Sequence, residues 1–239
     1  AQPGISAHVP LETYMRHNIT ATHRLLEAAK NLPTLRCFIN TATSSIYGKR
    51  ATDTEDMPPQ PISYYGVTKL AAEQLALSYY REHEMPVCSL RLFSVYGPRE
   101  RPEKLYPKLI GALLHEESFP LCEGSEFHKR SYTYIDDAIL GFTSVLDKLT
   151  QVKGEIFNIG SDQCITTGEA IRIVENIMNK KARFVTAPKR PGDQLYTHAN
   201  IDKARRVLGY EPTTLPKEGL AKEVEWYLQM QNSEFRIQN

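Results

Sequence analysis

Thr43, Tyr65 and Lys69 put a hydroxyl, a phenol and an ammonium within one short stretch of chain. Thr43 lies in Thr41-Ala42-Thr43-Ser44-Ser45-Ile46-Tyr47-Gly48, a hydroxyl cluster closed by a glycine. Tyr65 and Lys69 lie in Tyr65-Gly66-Val67-Thr68-Lys69. Such a trio can carry a proton to and from an alcohol or sugar hydroxyl. A free tyrosine titrates at about pH 10 and is a poor base at neutral pH. A fixed positive charge nearby favours the phenolate, and Lys69 is the expected source. The threonine hydroxyl both donates and accepts, so it can hold a substrate hydroxyl against the phenol. Removing that proton leads to chemistry when a hydride acceptor such as a nicotinamide waits on the carbon side.

These side chains need a strand and a helix to position them. Residues 36–40 form a short apolar run that reads as a buried strand, so Thr43 falls at its C-terminal end. An acid- and proline-rich loop follows from Asp53 to Pro61. From Tyr64 to His83, Val67, Leu70, Ala71, Leu75 and Leu77 recur at helical spacing. Tyr65 and Lys69, four apart, share one face of that helix. Val87–Leu92 is a second apolar run, and strand–helix–strand alternation predicts an α/β, doubly wound parallel sheet. Sites in such sheets lie off the carboxyl ends of the strands, where Thr43 and Phe93-Ser94 fall.

The remaining elements are read the same way. Residues 13–31 predict a helix with a broad apolar face, including Tyr14, Ile19, Leu25 and Leu26. Residues 105–114 and 136–149 predict helices, the latter opening on Asp136-Asp137, which suit a helix N-terminus. Residues 131–134 and 155–159 read as strands, and Phe184-Val185 as a short one. Thr166 to Glu169 has capping-box spacing. Arg190-Pro191-Gly192-Asp193 is a turn by composition, and helices over 202–208 and 216–228 close the chain.

The 239 residues carry 29 basic and 28 acidic side chains, a balance with no field to recruit nucleic acid or an anionic membrane. Cys37, Cys88, Cys122 and Cys164 are too scattered for a metal or redox motif and read as reduced thiols of a cytoplasmic protein. No metal site is expected. No apolar run approaches the roughly 20 residues of a membrane span.

Residues 43–48, Tyr65–Lys69 and Leu90–Arg99 resemble consecutive motifs of the extended short-chain dehydrogenase/reductases, in the nucleotide-sugar epimerase/dehydratase branch of the UDP-glucose or UDP-glucuronate 4-epimerase kind. Arg130–Asp137, Phe157–Gly160, Arg190–Asp193 and Ala204–Pro212 match further motifs in the same order, over nearly the whole chain. The resemblance implies a Rossmann-type sheet with a smaller C-terminal substrate-binding lobe. Residues 1–98 belong to the NAD-binding part, 129–160 partly return to it, and 99–239 mainly form the lobe. It implies NAD as cofactor, a nucleotide-sugar as substrate, and a homodimer through helices 13–31 and 64–83.

Residue by residue, the resemblance makes Thr43, Tyr65 and Lys69 catalytic, with Tyr65, Lys69 and Phe93 also at the cofactor. Asn18 has two readings, a residue near the cofactor or a polar helix residue with a backbone partner. Ser44, Ser94, Arg130, Arg190 and Asp193 become substrate contacts, Ser94 standing where the family carries a longer-reaching asparagine. Arginine forks two donors onto phosphate oxygens, which suits Arg130 and Arg190 to a diphosphate. Residues 1–5 resemble the family segment after its fourth strand, and no glycine-rich fingerprint for a pyrophosphate follows an apolar strand. The chain is therefore expected to be an N-terminally truncated piece whose sheet lacks its first strands.

Within the branch a common 4-keto intermediate leads to epimerisation, 4,6-dehydration or decarboxylation. Elimination requires its own acid and base. Ser44 and Ser45 stand where family dehydratases and decarboxylases carry acids, so C4 epimerisation of a UDP-sugar is the first expectation. A dehydratase or reductase, a non-catalytic dinucleotide sensor and an inert fragment are the alternatives.

Overall fold

The computed structural model describes residues 9–189 and 192–237, with side chains to residue 231. In chain order come α1 (Leu11–Tyr14), a π-helical segment (Met15–Thr20), α2 (Ala21–Ala29), β1 (Phe38–Thr43), a 3-10 turn (Ser44–Tyr47), β2 (Arg50–Ala51) and α3 (Tyr64–His83). Then follow β3 (Val87–Leu92), β4 (Val95–Tyr96), α4 (Leu105–His115), β5 (Ser118–Cys122), β6 (Lys129–Arg130), β7 (Thr133–Tyr134) and α5 (Ile135–Leu146). The chain closes with β8 (Ile156–Ile159), β9 (Ile165–Thr166), α6 (Thr167–Met178), β10 (Arg183–Ala187), β11 (Tyr196–Thr197), α7 (Asp202–Leu208) and α8 (Pro216–Ile237).

β1, β3 and β8 form a parallel sheet in the order β1-β3-β8, with Thr43 opposite Leu92 and Leu92 opposite Ile159. Helices cover both faces, the α/β arrangement the alternation predicts. Because side chains alternate along a strand, Cys88, Leu90, Phe157 and Ile159 enter one apolar core with Val145, Ala204 and Leu208. Their neighbours Ser89, Arg91 and Asn158 turn to the opposite face, under α3 (the pairs Asn40–Ser89 and Arg91–Asn158 are in register). That face is polar beneath the helix bearing Tyr65.

A second apolar core gathers Tyr106, Leu109 and Ile110 of α4, Ile171 and Val174 of α6, and Leu220 and Val224 of α8. Between the cores, β2, β11, β6 and β9 pair in that order, the last pair antiparallel. The helix expected over 13–31 is present as one helical run from Leu11 to Ala29 with a π-helical stretch inside it, and α8 runs past the expected Leu228. The capping box at Thr166 and Glu169 is present, with both reciprocal hydrogen bonds.

Candidate active site

Thr43 ends β1 and is 6% exposed. Its hydroxyl accepts from the Ser45 amide at 3.2 Å, capping the 3-10 turn. α3 starts on Ser63, whose Oγ accepts from the Gly66 amide at 3.1 Å. A Cβ on Gly66 would lie 2.8 Å from the Ser45 carbonyl oxygen. The missing side chain therefore lets the first turn of α3 press onto the turn after Thr43. The Tyr65 phenol, half-buried, is hydrogen-bonded to Thr43, and Tyr14 packs edge-on against its ring at 6.4 Å.

Burial pushes the Tyr65 phenol above its ordinary pKa, against the pull of the Thr43 hydrogen bond and of the Arg101 guanidinium. Lys69 does not supply the expected cation here. Its ammonium donates to the Thr41 carbonyl, and burial lowers its own pKa against the opposing charge of Glu73. Arg101, half-buried between β4 and α4, is the cation that acts on the phenol. No periodicity or motif singles out that loop arginine.

Under α3 lies a buried ion-pair network. Arg91 donates Nη2 to Glu73 Oε1 at 2.8 Å and Nε to Glu73 Oε2 at 2.9 Å. Its Nη1 reaches Tyr47 Oη at 2.7 Å and the Glu55 carbonyl at 3.0 Å. Tyr47 donates to Asn158 Oδ1 at 2.8 Å, and the Asn158 amide donates to Glu55 Oε1 at 2.7 Å. The network binds the turn after Thr43, the acid-rich loop, two strands and the Tyr65 helix into one unit.

Asn18, in the π segment, donates Nδ2 to Thr68 Oγ1 at 2.9 Å, joining that segment to α3. Ser44 is buried, and its carbonyl accepts from Gln194 Nε2 at 3.2 Å. The same amide donates to the Gly48 carbonyl at 2.9 Å, a tie between the two sequence regions that composition does not disclose. Phe93 is 1% exposed, with its ring in the core beside Tyr47. Ser94 is half-buried, its carbonyl accepting from the Thr133 amide at 3.0 Å. Arg130 Nη2 and Asp193 Oδ1 pair at 3.0 Å, with His128 Nδ1 3.6 Å from Asp193 Oδ2. Arg190 lies outside the described residues. The structure thus gathers Thr43, Ser44, Tyr65 and Lys69 at one strand end and joins Arg130 to Asp193, while the Phe93 ring turns into the core.

Residues 2–160 match the model of the NAD dependent epimerase/dehydratase family. The chain belongs to this family. It is 36% identical to the uncharacterized UDP-glucose epimerase YtcB of Bacillus subtilis over 89% of its own length and 67% of that protein. It is 33% identical to UDP-glucuronate 4-epimerase 4 of Arabidopsis thaliana, of which it spans 53%. Its fold matches the crystal structure of UDP-glucuronic acid 4-epimerase from Bacillus cereus in complex with UDP-glucuronic acid and NAD. The TM-score is 0.91 at 36% identity, covering 96% of this chain and 74% of that one. The alternating sheet and helices described above are thus those of a Rossmann-type epimerase/dehydratase.

Proposed function

We propose that the protein is an NAD-dependent epimerase acting at C4 of a UDP-sugar, with UDP-glucuronate as its favoured substrate. The observation that carries this reading is the hydrogen-bonded Thr43–Tyr65 pair with Arg101 facing the phenol. Thr43 would hold the C4 hydroxyl, and Tyr65 would take its proton as the phenolate, a form that the positive nicotinamide ring of bound NAD would favour. Only C5 separates C4 from C6, so a guanidinium near the phenol meets a C6 carboxylate and can fork onto it. Ser44 and Ser45 provide no second acid and base, which disfavours the dehydratase reading.

Bound NAD supplies the hydride acceptor for C4. Lys69 and Tyr65, side by side at the end of β1, suit its nicotinamide ribose, and Asn18 and Phe93 would flank that end through the segments that hold them. Among the described residues no glycine-rich strand-to-helix turn is present to receive the pyrophosphate. Ser44 and Ser94 would border the sugar. Arg130 and Arg190 would take the diphosphate, Asp193 orienting the Arg130 fork at 3.0 Å. This divides the chain into a cofactor part, residues 1–98 with 129–160, and a substrate lobe within 99–239. Four free cysteines support a cytoplasmic location.

The test is the full protein with NAD and UDP-glucuronate, followed by proton NMR of the anomeric signals. Appearance of the C4 epimer supports the reading. A stable 4-keto or deoxy product, or no turnover of any UDP-sugar, ends it. Arg101→Gln is expected to raise KM for UDP-glucuronate about 10- to 100-fold, the worth of hydrogen bonds to a charged group, and to change KM for UDP-glucose little. Equal effects on the two sugars would remove Arg101 from carboxylate recognition.

The helices at 13–31 and 64–83 are the proposed dimer surface, supported by exposed Met15, Leu25, Tyr64 and Val67. Sedimentation is expected to give a dimer that Leu25→Glu with Val67→Glu converts to a monomer. A wild-type monomer at micromolar concentration would refute it.

A further inference from the structure

Away from the Thr43–Tyr65 pair, two carboxyl groups face each other inside the second core. Glu223 of α8 is 1% exposed and no side-chain donor reaches its oxygens, while the Gly97 amide acts on its carboxyl from the loop. Its opposite number is Glu100, in the loop between β4 and α4, whose Oε2 is buried without a donor. Glu100 Oε1 is held by Lys104 Nζ at 2.5 Å, and the same ammonium donates to the Val95 carbonyl at 2.8 Å. One ammonium balances one carboxylate. Two ionised carboxyls in contact repel, whereas one acid and one carboxylate form a hydrogen bond. Glu100 is the member held by the cation, so Glu223 is the member that carries the proton.

We propose that Glu223 and Glu100 share one buried proton, and that this acid–carboxylate clamp on α8 is a positioning device for the loop that presents Arg101 to Tyr65. The loop has few other anchors of this kind: the Glu100 amide donates to the Gly97 carbonyl at 3.0 Å, and the Lys104 amide to that of Arg101 at 3.0 Å. Arg99 sits at φ 66°, a left-handed conformation that a non-glycine residue holds only when its surroundings enforce it. Arg101 follows Glu100 directly, so the clamp and the cation move together.

Lys104 is the cation that acts on Glu223, and it is already engaged by Glu100. Tyr96 of β4 and Tyr134 of β7 face Glu223, while Tyr106 of α4 and Tyr132 face Glu100. Burial raises all four phenols, so they stay uncharged. Asp137 of α5 and Glu218 of α8 reach Tyr96 and add only negative charge. Lys104 and Arg101 are the two cations acting on Glu100. Burial, with Glu100 alongside, raises Glu223 from the ordinary 4.5 to about 9. A raised folded-state pKa means that the native protein keeps a proton which the unfolded chain releases. Its stabilising contribution is therefore complete below about 4.5 and drains away as pH rises toward about 9.

The role given to Arg101 rests on the proposed function; the shared proton does not. Glu223→Gln and Glu223→Ala in the full protein test both. The glutamine amide can donate to Glu100 without a titrating proton. Wild type is expected to show a protonated-carboxyl infrared band at neutral pH that Glu223→Gln lacks. In denaturant melts, the unfolding constant of wild type relative to Glu223→Gln should rise about tenfold per pH unit across that window, then level. Glu223→Ala should raise KM for UDP-glucuronate and not for UDP-glucose, with Glu223→Gln restoring it. An unchanged infrared band or parallel melts overturn the shared proton. An unaltered KM in Glu223→Ala overturns the positioning role. If Arg101→Gln is itself without effect on UDP-glucuronate, the functional reading fails while the infrared and melting outcomes still decide the proton.

Discussion

Tyr65→Phe is expected to lower C4 epimerisation by about 10²- to 10⁴-fold, the range lost when a positioned proton-transfer group is removed. The ring and its edge-on contact with Tyr14 survive the change, so folding should not suffer. What disappears is the oxygen that pairs with Thr43. The measurement is single-turnover epimerisation at saturating UDP-glucuronate and NAD. A Tyr65→Phe enzyme as fast as wild type would remove the phenol from the reaction. The electrostatics add a second readout. Burial raises this phenol more than Thr43 and Arg101 lower it, so in the ligand-free protein it stays protonated at neutral pH. Ultraviolet difference titration of wild type against Tyr65→Phe should show no tyrosinate from this residue until above about pH 10.

Glu73→Ala should produce the largest loss of stability. Glu73 and Arg91 are 0% and 2% exposed in their side chains and meet through two hydrogen bonds. Removing one partner of a buried ion pair leaves the other charged and desolvated, at a cost of about 3–5 kcal/mol. In a chain of this size that corresponds to a fall in melting temperature of roughly 6–20 °C. The loss should spread beyond the pair, because Arg91 also holds Tyr47 and the Glu55 carbonyl. Glu73→Leu with Arg91→Met removes both charges together and is expected to recover much of the deficit. Thermal denaturation of the single and double variants decides the matter, and a single variant as stable as wild type would show the pair to be dispensable.

The sequence disclosed most where neighbours along the chain do the work. Spacing alone placed Tyr65 and Lys69 on one helical face, and the hydroxyl run placed Thr43 at the end of its strand. The helix Tyr64–His83 and the Thr166 capping box are equally local and equally legible. Contacts between distant segments were hidden. Nothing near Lys69 announces that its ammonium turns to the Thr41 carbonyl, leaving Arg101 to act on the phenol. The helix over Leu11–Ala29 is continuous as the periodicity predicts, but its π-helical stretch at Met15–Thr20 is not written in that periodicity. Asp137 read as a helix-end charge, yet its two oxygens accept the Thr213 and Thr214 amides at 3.2 Å. Each miss has the same origin: a polar side chain takes whichever partner the tertiary fold brings, and one-dimensional spacing does not rank those partners.

Gln194 carries a consequence for how a ligand enters. Its single amide spans the carbonyls of Ser44 and Gly48, the two ends of the turn beyond Thr43. Gln194 itself follows Asp193, the partner of Arg130. If Arg130 takes the diphosphate as proposed, its grip and the alignment of the Thr43 hydroxyl would be mechanically coupled, so a sugar seated askew at one end would disturb the chemistry at the other.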